Sequence, residues 1–442
     1  MPHVLFVAVS GVRIFDTELL SLGLSLPGFV ERGKVIASMP SLGLLTLAGA
    51  TPKPWTVSYE EAPGDVEEAF TQLRTQSPDL VAISFLSARA HDAYRLADMF
   101  LAEGFKVVLG GLHVSMCAEE AMAHASAIVI GQGEWIWPQI LQDFENSALL
   151  PRYGSLLTTE ALDTSPVPRF DILDIDRYNR IPVQSTRGCP LDCSFCAASR
   201  LISPYKRKSA DRVRLEIQKV TERWPAPFIE LADDNTFVNK KWGRELAAVL
   251  GEFKGLKWFT ETDISLGDDL ELIEALARSG CSQVLVGLES VSPESLAHGT
   301  DSGQWKKKQR EAYTRQIKTI QDHGISVNGC FVFGFDDDTP ETFDATREFI
   351  EESELSEVQV TLLTPFPGTK LYRDLLAQGR LIDPLAWHKC TLFDVNFVPK
   401  NFSPTELRDQ FAELVGSVYS EAATNHRRTI RTRIHREKIK HG

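Results

Sequence analysis

The chain has 442 residues, 43% apolar and 24% charged, the balance of an ordinary globular protein that is too long for one hydrophobic core. No run approaches eighteen uninterrupted apolar residues, which argues against a membrane span, and a net charge of −13 argues against a general nucleic-acid coat. Seven cysteines, three of them within eight residues and four scattered, describe a reduced, cytoplasmic chain with one metal centre rather than a disulfide scaffold.

The opening Met1-Pro2-His3-Val4-Leu5 lacks the basic lead of a secretory leader and reads as the start of a strand. Strands are predicted over residues 4–10, 55–59, 80–86, 107–109 and 127–130, with helices over 41–50 and 90–103 between them. Strands alternating with helices imply a parallel, doubly wound sheet. Gly110-Gly111 and Gly131-Gln132-Gly133 follow two strand ends, where such sheets bind ligands. Residues 1–145 therefore read as a Rossmann-like domain. Residues 146–181, with Pro151, Pro166 and Pro168, read as an extended linker.

A second alternating series occupies residues 182–370. Its predicted strands are 183–186, 228–231, 258–260, 283–287, 327–333 and 357–363, and its main helices are 210–224, 269–279, 307–323 and 339–352. Six such units fit a partial (β/α)6 barrel, with ligands at the carboxyl-terminal strand ends. Residues 371–442 read as a small, mainly helical region. From Thr424 on, seven Lys or Arg face one Glu, a tail that is either a solvated helix or frayed end or an anion- or nucleic-acid-contacting end.

The central signal is Arg187-Gly188-Cys189-Pro190-Leu191-Asp192-Cys193-Ser194-Phe195-Cys196, just after the first barrel strand. Three thiolates on one short loop can hold three irons of a cubane and leave the fourth iron without a protein ligand. Structural zinc wants four ligands, and the histidines closest in the chain, His124 and His298, are distant.

This C-x₃-C-x₂-C spacing, with an aromatic before the last cysteine, resembles the radical S-adenosylmethionine (SAM) superfamily. The resemblance implies that Cys189, Cys193 and Cys196 ligate a [4Fe–4S] cluster whose open iron binds SAM, and that Phe195 packs near the adenine. In that family the reduced cluster splits the sulfur–carbon bond of SAM and leaves a 5′-deoxyadenosyl radical. Asp233-Asp234 stands where the family places the segment that accepts from the cofactor's ammonium; alternatively these acids cap the following helix. Glu261 and Asp263 end the third strand, and Glu289 the fourth, where an acid closing an apolar strand is expected to bond a polar ligand. Gly334, after Gly329-Cys330-Phe331-Val332-Phe333, resembles the segment beside the adenine, and Thr364-Pro365-Phe366-Pro367-Gly368-Thr369 the closing turn. The run Tyr205-Lys206-Arg207-Lys208-Ser209 either faces the cofactor carboxylate or is a solvated loop. Cys281, Cys330 and Cys390 are redox partners, substrate ligands or small buried hydrophobes.

The first domain resembles the cobalamin-binding domain found ahead of the barrel in one subgroup, through Pro40-Ser41-Leu42-Gly43-Leu44-Leu45, Gly110-Gly111-Leu112-His113 and Gly131-Gln132-Gly133-Glu134. Gly110, Gly111, Gly131 and Gly133 would let backbone approach a macrocycle, with His113 beside the site or merely a satisfied loop histidine. No Asp-x-His-x-x-Gly string that donates a lower axial ligand is present, so the domain either holds cobalamin without one or is vestigial. The expected activity is cobalamin-dependent C-methylation of a small molecule, fed by an electron donor such as flavodoxin or ferredoxin. Non-methylating radical chemistry and transfer of the 3-amino-3-carboxypropyl group stay open. The radical methylthiotransferases are excluded, since they carry three further N-terminal cysteines and only Cys117 precedes the motif here. No basic groove with interleaved aromatics points to nucleic acid.

Overall fold

The strand β1 (His3–Val9) is apolar on both sides, with Val4, Phe6 and Ala8 feeding one core cluster and Leu5, Val7 and Val9 another. That alternation makes it a central strand, covered by helices above and below. It pairs in parallel with β2 (Thr56–Glu61) on one side and β3 (Leu80–Phe85) on the other. β4 (Lys106–Gly110), β5 (Ala127–Gly131) and β6 (Arg152–Ser155) complete a parallel six-stranded sheet of order β2-β1-β3-β4-β5-β6. These relations come from a computed structural model that describes residues 1–11, 19, 39–62, 64–156, 158–299 and 303–441.

The stretch expected to be only a linker thus supplies an edge strand, β6, whose polar sequence buries Tyr153 alone. An edge strand needs no apolar alternation, which is why Arg-Tyr-Gly-Ser reads as loop.

A second parallel sheet begins with β7 (Ile181–Val183). A two-residue antiparallel ribbon, β8 (Thr186–Arg187) with β9 (Lys206–Arg207), leads away from it. β10 (Phe228–Leu231), β11 (Lys257–Thr262), β12 (Cys281–Glu289), β13 (Ser326–Phe333) and β14 (Glu357–Leu362) follow in sheet order β7-β10-β11-β12-β13-β14. Helices Ala210–Thr221, Lys240–Gly251, Leu270–Arg278, Tyr313–Asp322 and Pro340–Glu352 return the chain between strands, and β7 and β14 remain edges. This is the expected partial barrel.

Two local expectations change. The predicted helix over 307–323 is two helices, Gly303–Arg310 and Tyr313–Asp322, and the first starts early enough to carry Lys306, which donates to Glu289. The helix Lys240–Gly251, capped by Asn239 through a 3.0 Å bond from the Trp242 amide, has no counterpart among the named sequence elements.

The C-terminal region is helical, as expected. Helix Pro404–Val418 opens with a capping box, Ser403 with Glu406, and buries Leu407, Phe411 and Leu414. Helix Glu421–His441 lays Ile430 and Ile434 into the core and pairs Arg433 with Glu354 and Arg431 with Glu357. Part of the basic tail is therefore spent on the barrel's own acids. No helix among the described residues is long and apolar enough to cross a membrane.

Candidate functional site

The cysteine loop leaves the barrel through Gly188, whose φ of +79° and carbonyl neighbours, Pro204 O at 2.6 Å and Ser203 O at 2.7 Å from a built Cβ, admit no side chain. Inside the loop the Cys196 amide bonds the Cys193 carbonyl at 3.1 Å. Arg200 donates to Asp192 and to the Cys193 carbonyl, both at 2.6 Å. All three cysteines are free thiols. Burial pushes each upward, Cys193 to about 11 against the pull of Lys306. Metal loading must therefore release protons.

The donor set fits an iron–sulfur cluster. Among the described residues, the set of donor atoms close enough for a single ion lies elsewhere, at His113, Cys117 and Glu120, within 4.8 Å of one another. Among the described residues the three thiols thus do not close on one point as a single tetrahedral ion requires.

Asp233 and Asp234 do something the sequence did not suggest. Asp233 is 3% exposed, and one of its oxygens accepts from the Ser185 amide at 2.7 Å and the Thr186 amide at 2.9 Å. Its other oxygen accepts from the hydroxyls of Ser185 and Thr236. Asp234 accepts from the Ser199 amide and hydroxyl, and Ser199 Oγ in turn accepts from the Gly188 amide at 2.8 Å. The two carboxylates brace the approach to the cysteine loop and its two ends. Neither caps the following helix, and the Asp233 oxygens are already taken by protein donors. Asp263 is likewise spent locally, on Ser265 and Asn235.

Glu261 and Glu289 face inward at the barrel mouth. Glu261 is exposed to the cavity, but the protein crowded around it, then the like charges of Glu230, Asp234 and Glu289, push its carboxyl up to about 8. Glu289 sits at φ +65° beside a register shift in β12, and Gly287 leaves room for its carboxylate, which lies 2.6 Å from where a Cβ would stand. Lys306 pairs with it at 2.7 Å. Although burial works against it, that ammonium is held above the usual lysine range by Glu289 and Cys193. Deeper in the barrel, Arg180 meets Glu230 at 2.8 Å, and burial pushes Glu230 up to about 7 against the pull of Arg180.

These groups open onto a cavity of about 460 Å³. The cysteine loop lines it with Phe195 and Cys196, and the barrel with Glu261, Glu289, Cys330 and Gln359. Phe85, Leu86, Leu112 and His113 of the first sheet's strand-end loops close it from above, and Phe366, Cys390 and Leu392 from the side. Phe195 stacks edge-on against Phe335, centroids 5.6 Å apart. Gln359 is 9% exposed and its Oε1 has no partner, an orphaned acceptor that suits a bound polar ligand. Gly334 is not on this wall. Its φ of +105° and Phe397 at 3.0 Å from a built Cβ explain the glycine.

The four glycines of the first sheet line a separate cavity of about 290 Å³ with Gly43, Leu44, Ser84 and Trp137. A Cβ on Gly43 would meet no atom within 4 Å, and one on Gly110 only Val129 at 3.7 Å, so the backbone is bare where a bulky ligand would approach. Ser115 ties the two glycine turns together, donating to the Gly111 carbonyl at 2.8 Å and accepting from the Gly131 amide at 2.9 Å. His113 is not on this cavity but on the larger one. Arg187, beside the cysteine loop, reaches this wall and donates to Gln132 at 2.7 Å and Glu134 at 2.6 Å. Sequence patterns gave no signal for this bridge, because its partners come from two sheets.

The basic run faces neither ligand nor solvent alone. Lys208 is buried against Glu216 at 2.7 Å, Lys206 donates to the Thr158 and Glu160 carbonyls, and Arg207 lies over the Trp242 ring. Cys281 is fully buried and its thiol donates to the Gln283 carbonyl, a packing role.

Comparison with known proteins agrees with this geometry. The family model described as Radical SAM superfamily matches residues 183–350, and that of the B12 binding domain matches residues 32–141. The chain is 29% identical over 404 residues to bacteriochlorophyllide d C-12(1)-methyltransferase of Chlorobaculum tepidum, covering 89% of this chain and 85% of that one. It is 30% identical over 331 residues to bacteriochlorophyllide d C-8(2)-methyltransferase of the same organism, covering 70% and 71%. The fold matches the radical S-adenosylmethionine methyltransferase TsrM from Kitasatospora setae, solved with cobalamin and a [4Fe–4S] cluster bound. That match has a TM-score of 0.69 at 15% identity and covers 100% of this chain and 99% of that one.

Proposed function

The chain belongs to the radical SAM superfamily, with a B12 binding domain ahead of its barrel, and from this premise we propose that it methylates a carbon of a mainly apolar small molecule in the 460 Å³ cavity. It is an enzyme of methyltransferase type whose cofactors are a [4Fe–4S] cluster, SAM and cobalamin. When bound, the cluster supplies the electron for SAM cleavage and the corrinoid supplies the methyl group.

The residues divide the work. Cys189, Cys193 and Cys196 hold the cluster on a loop that Asp233 and Asp234 keep in place. Phe195 and the unpartnered Gln359 offer a face and an acceptor to SAM, and the Glu289–Lys306 pair presents a fixed carboxylate beside them. Glu261, with its raised carboxyl, can hold a proton at neutral pH where the substrate lies. Gly43, Gly110, Gly111, Gly131 and Gly133 admit the corrinoid, and Arg187 couples that wall to the cysteine loop. Residues 1–145 and 182–370 act as the two working domains. A flavodoxin or ferredoxin in the cytoplasm supplies reducing equivalents.

One observation carries the reading: a single cavity is walled at once by the cysteine loop, the barrel-mouth acids and the first sheet's strand-end loops. Its lining supports an apolar substrate, with Leu86 57% and Leu392 36% exposed into an opening rimmed by Phe85, Met116 and Phe366. Both reported relatives are named as methyltransferases of bacteriochlorophyllide d.

The test is anaerobic turnover of the reconstituted, reduced enzyme with methyl-labelled SAM and an extract of apolar metabolites. Methyl transfer predicts 5′-deoxyadenosine and S-adenosylhomocysteine together, with label in a product. 5′-Deoxyadenosine without S-adenosylhomocysteine would assign a non-methylating radical reaction, and neither product would reject the proposal.

A further inference from the structure

A second cluster of ligating side chains stands at the edge of the cavity, away from the cysteine loop. Strand β4 ends at Gly110, and after Gly111 the short helices Leu112–Met116 and Ala118–Met122, with Cys117 between them, bring His113, Cys117 and Glu120 close together. One nitrogen of His113, Sγ of Cys117 and a carboxylate oxygen of Glu120 lie within 4.8 Å of one another. His113 is 1% exposed, its Nδ1 is 3.0 Å from Ser87 Oγ, and its Nε2 is buried without a partner. An orphaned imidazole nitrogen in a protein interior demands an explanation. Glu120 is oriented by Trp387, whose Nε1 donates to both carboxylate oxygens at 3.1 and 3.0 Å and leaves lone pairs toward the cluster.

We propose that His113 Nε2, Cys117 Sγ and Glu120 bind one divalent transition-metal ion of the zinc class, with a fourth position open toward the substrate cavity. The pattern is that of a metal-ligating histidine, one ring nitrogen fixed by a hydrogen bond so that the other presents its lone pair. Thiolate, carboxylate and neutral imidazole are zinc's usual donors, and three protein ligands with one vacancy are its usual open arrangement. A thiolate and a carboxylate neutralise a dication, so the loaded site carries no net charge into its apolar surroundings. His113 also lines the cavity, which sets the ion at the cavity's edge. Cys390, on the same cavity wall, stands outside the three-donor set. The segment Trp387–Cys390 meets the site only through the Trp387 hydrogen bonds to Glu120. The three-donor set stands without the iron–sulfur and corrinoid reading; only the substrate beside it rests on the proposed function.

The experiment uses the full chain carrying its cluster and corrinoid. It is washed with chelator, equilibrated with zinc chloride, desalted and assayed for zinc, iron and cobalt. About one zinc per chain is expected, retained in Cys390→Ser and reduced at least tenfold in His113→Gln and Cys117→Ser at unchanged iron and cobalt. Zinc-edge X-ray absorption, blind to iron and cobalt, is expected to show one sulfur at about 2.3 Å and otherwise light ligands. Where a variant loses iron as well, Glu120→Gln, which keeps an acceptor for Trp387, replaces it and is expected to weaken zinc binding tenfold. Substoichiometric zinc in the parent, equal retention in the variants, a shell without sulfur, or loss in Cys390→Ser would each overturn the proposal.

Discussion

Replacing Asp233 separates a brace from a ligand, because its two oxygens have different partners. One accepts the Ser185 and Thr186 amides, the other the Ser185 and Thr236 hydroxyls, so the variants Asp233→Ala and Asp233→Asn remove different things. Alanine strands two buried amides, at about 1–3 kcal/mol each, for a total of roughly 2–6 kcal/mol. Asparagine can keep its carbonyl toward the amides and turn its NH₂ to hydroxyls that rotate to accept, so its cost is about 1 kcal/mol. If the carboxylate serves the loop, Asp233→Asn should retain near-normal cluster iron after anaerobic reconstitution and Asp233→Ala should lose most of it. Denaturant unfolding of the apo-proteins should rank them in the same order. Equal loss of SAM binding in both, at normal iron, would show that the charge itself contacts the cofactor and would refute the brace.

Three further outcomes follow. The Glu261 carboxyl is raised from its ordinary 4.5 to about 8 in the folded chain, so the native state binds more protons across that window and stability falls as pH rises from about 4.5 to about 8. Glu261→Gln should flatten this dependence, and equal slopes in parent and variant would contradict it. Gly43→Phe fills open space on the smaller cavity and should reduce cobalamin retention at least tenfold with unchanged cluster iron; unchanged retention would place the corrinoid elsewhere. Lys306→Met leaves the Glu289 carboxylate buried and unpaired, costing about 3–5 kcal/mol, whereas Lys306→Met with Glu289→Gln should recover most of that. A double variant as unstable as the single would show the pair to be uncoupled.

Much of the fold is legible in the chain, for a physical reason. Strands such as Phe228–Leu231 and Ser326–Phe333 are short apolar runs between helical periods, so their limits fall within a residue or two of the expected ones. β6 escapes because an edge strand is not obliged to alternate, and Lys240–Gly251 because its start is polar and carries Gly243, where a built Cβ would meet Phe237 at 3.0 Å and Leu272 at 3.1 Å. The cysteine spacing is a local signal and was readable as such. Asp233, Lys306 and Arg187 were not, since their partners, Ser185, Glu289 and Gln132, lie up to 55 residues away along the chain. A strand-end acid looks alike in sequence whether it faces a ligand or its own backbone. His113 shows the same limit: the glycine-histidine string marks the strand end, but only the fold shows which cavity the ring meets.

The central claim is that three thiolates leave one iron of a cubane free for SAM. Electron paramagnetic resonance of the reconstituted, dithionite-reduced protein, recorded before and after adding SAM, tests it most directly. A [4Fe–4S]⁺ signal whose g-values shift on addition, and which is absent in Cys193→Ala, is the predicted result. A signal indifferent to SAM, or one that survives removal of Cys193, would contradict it.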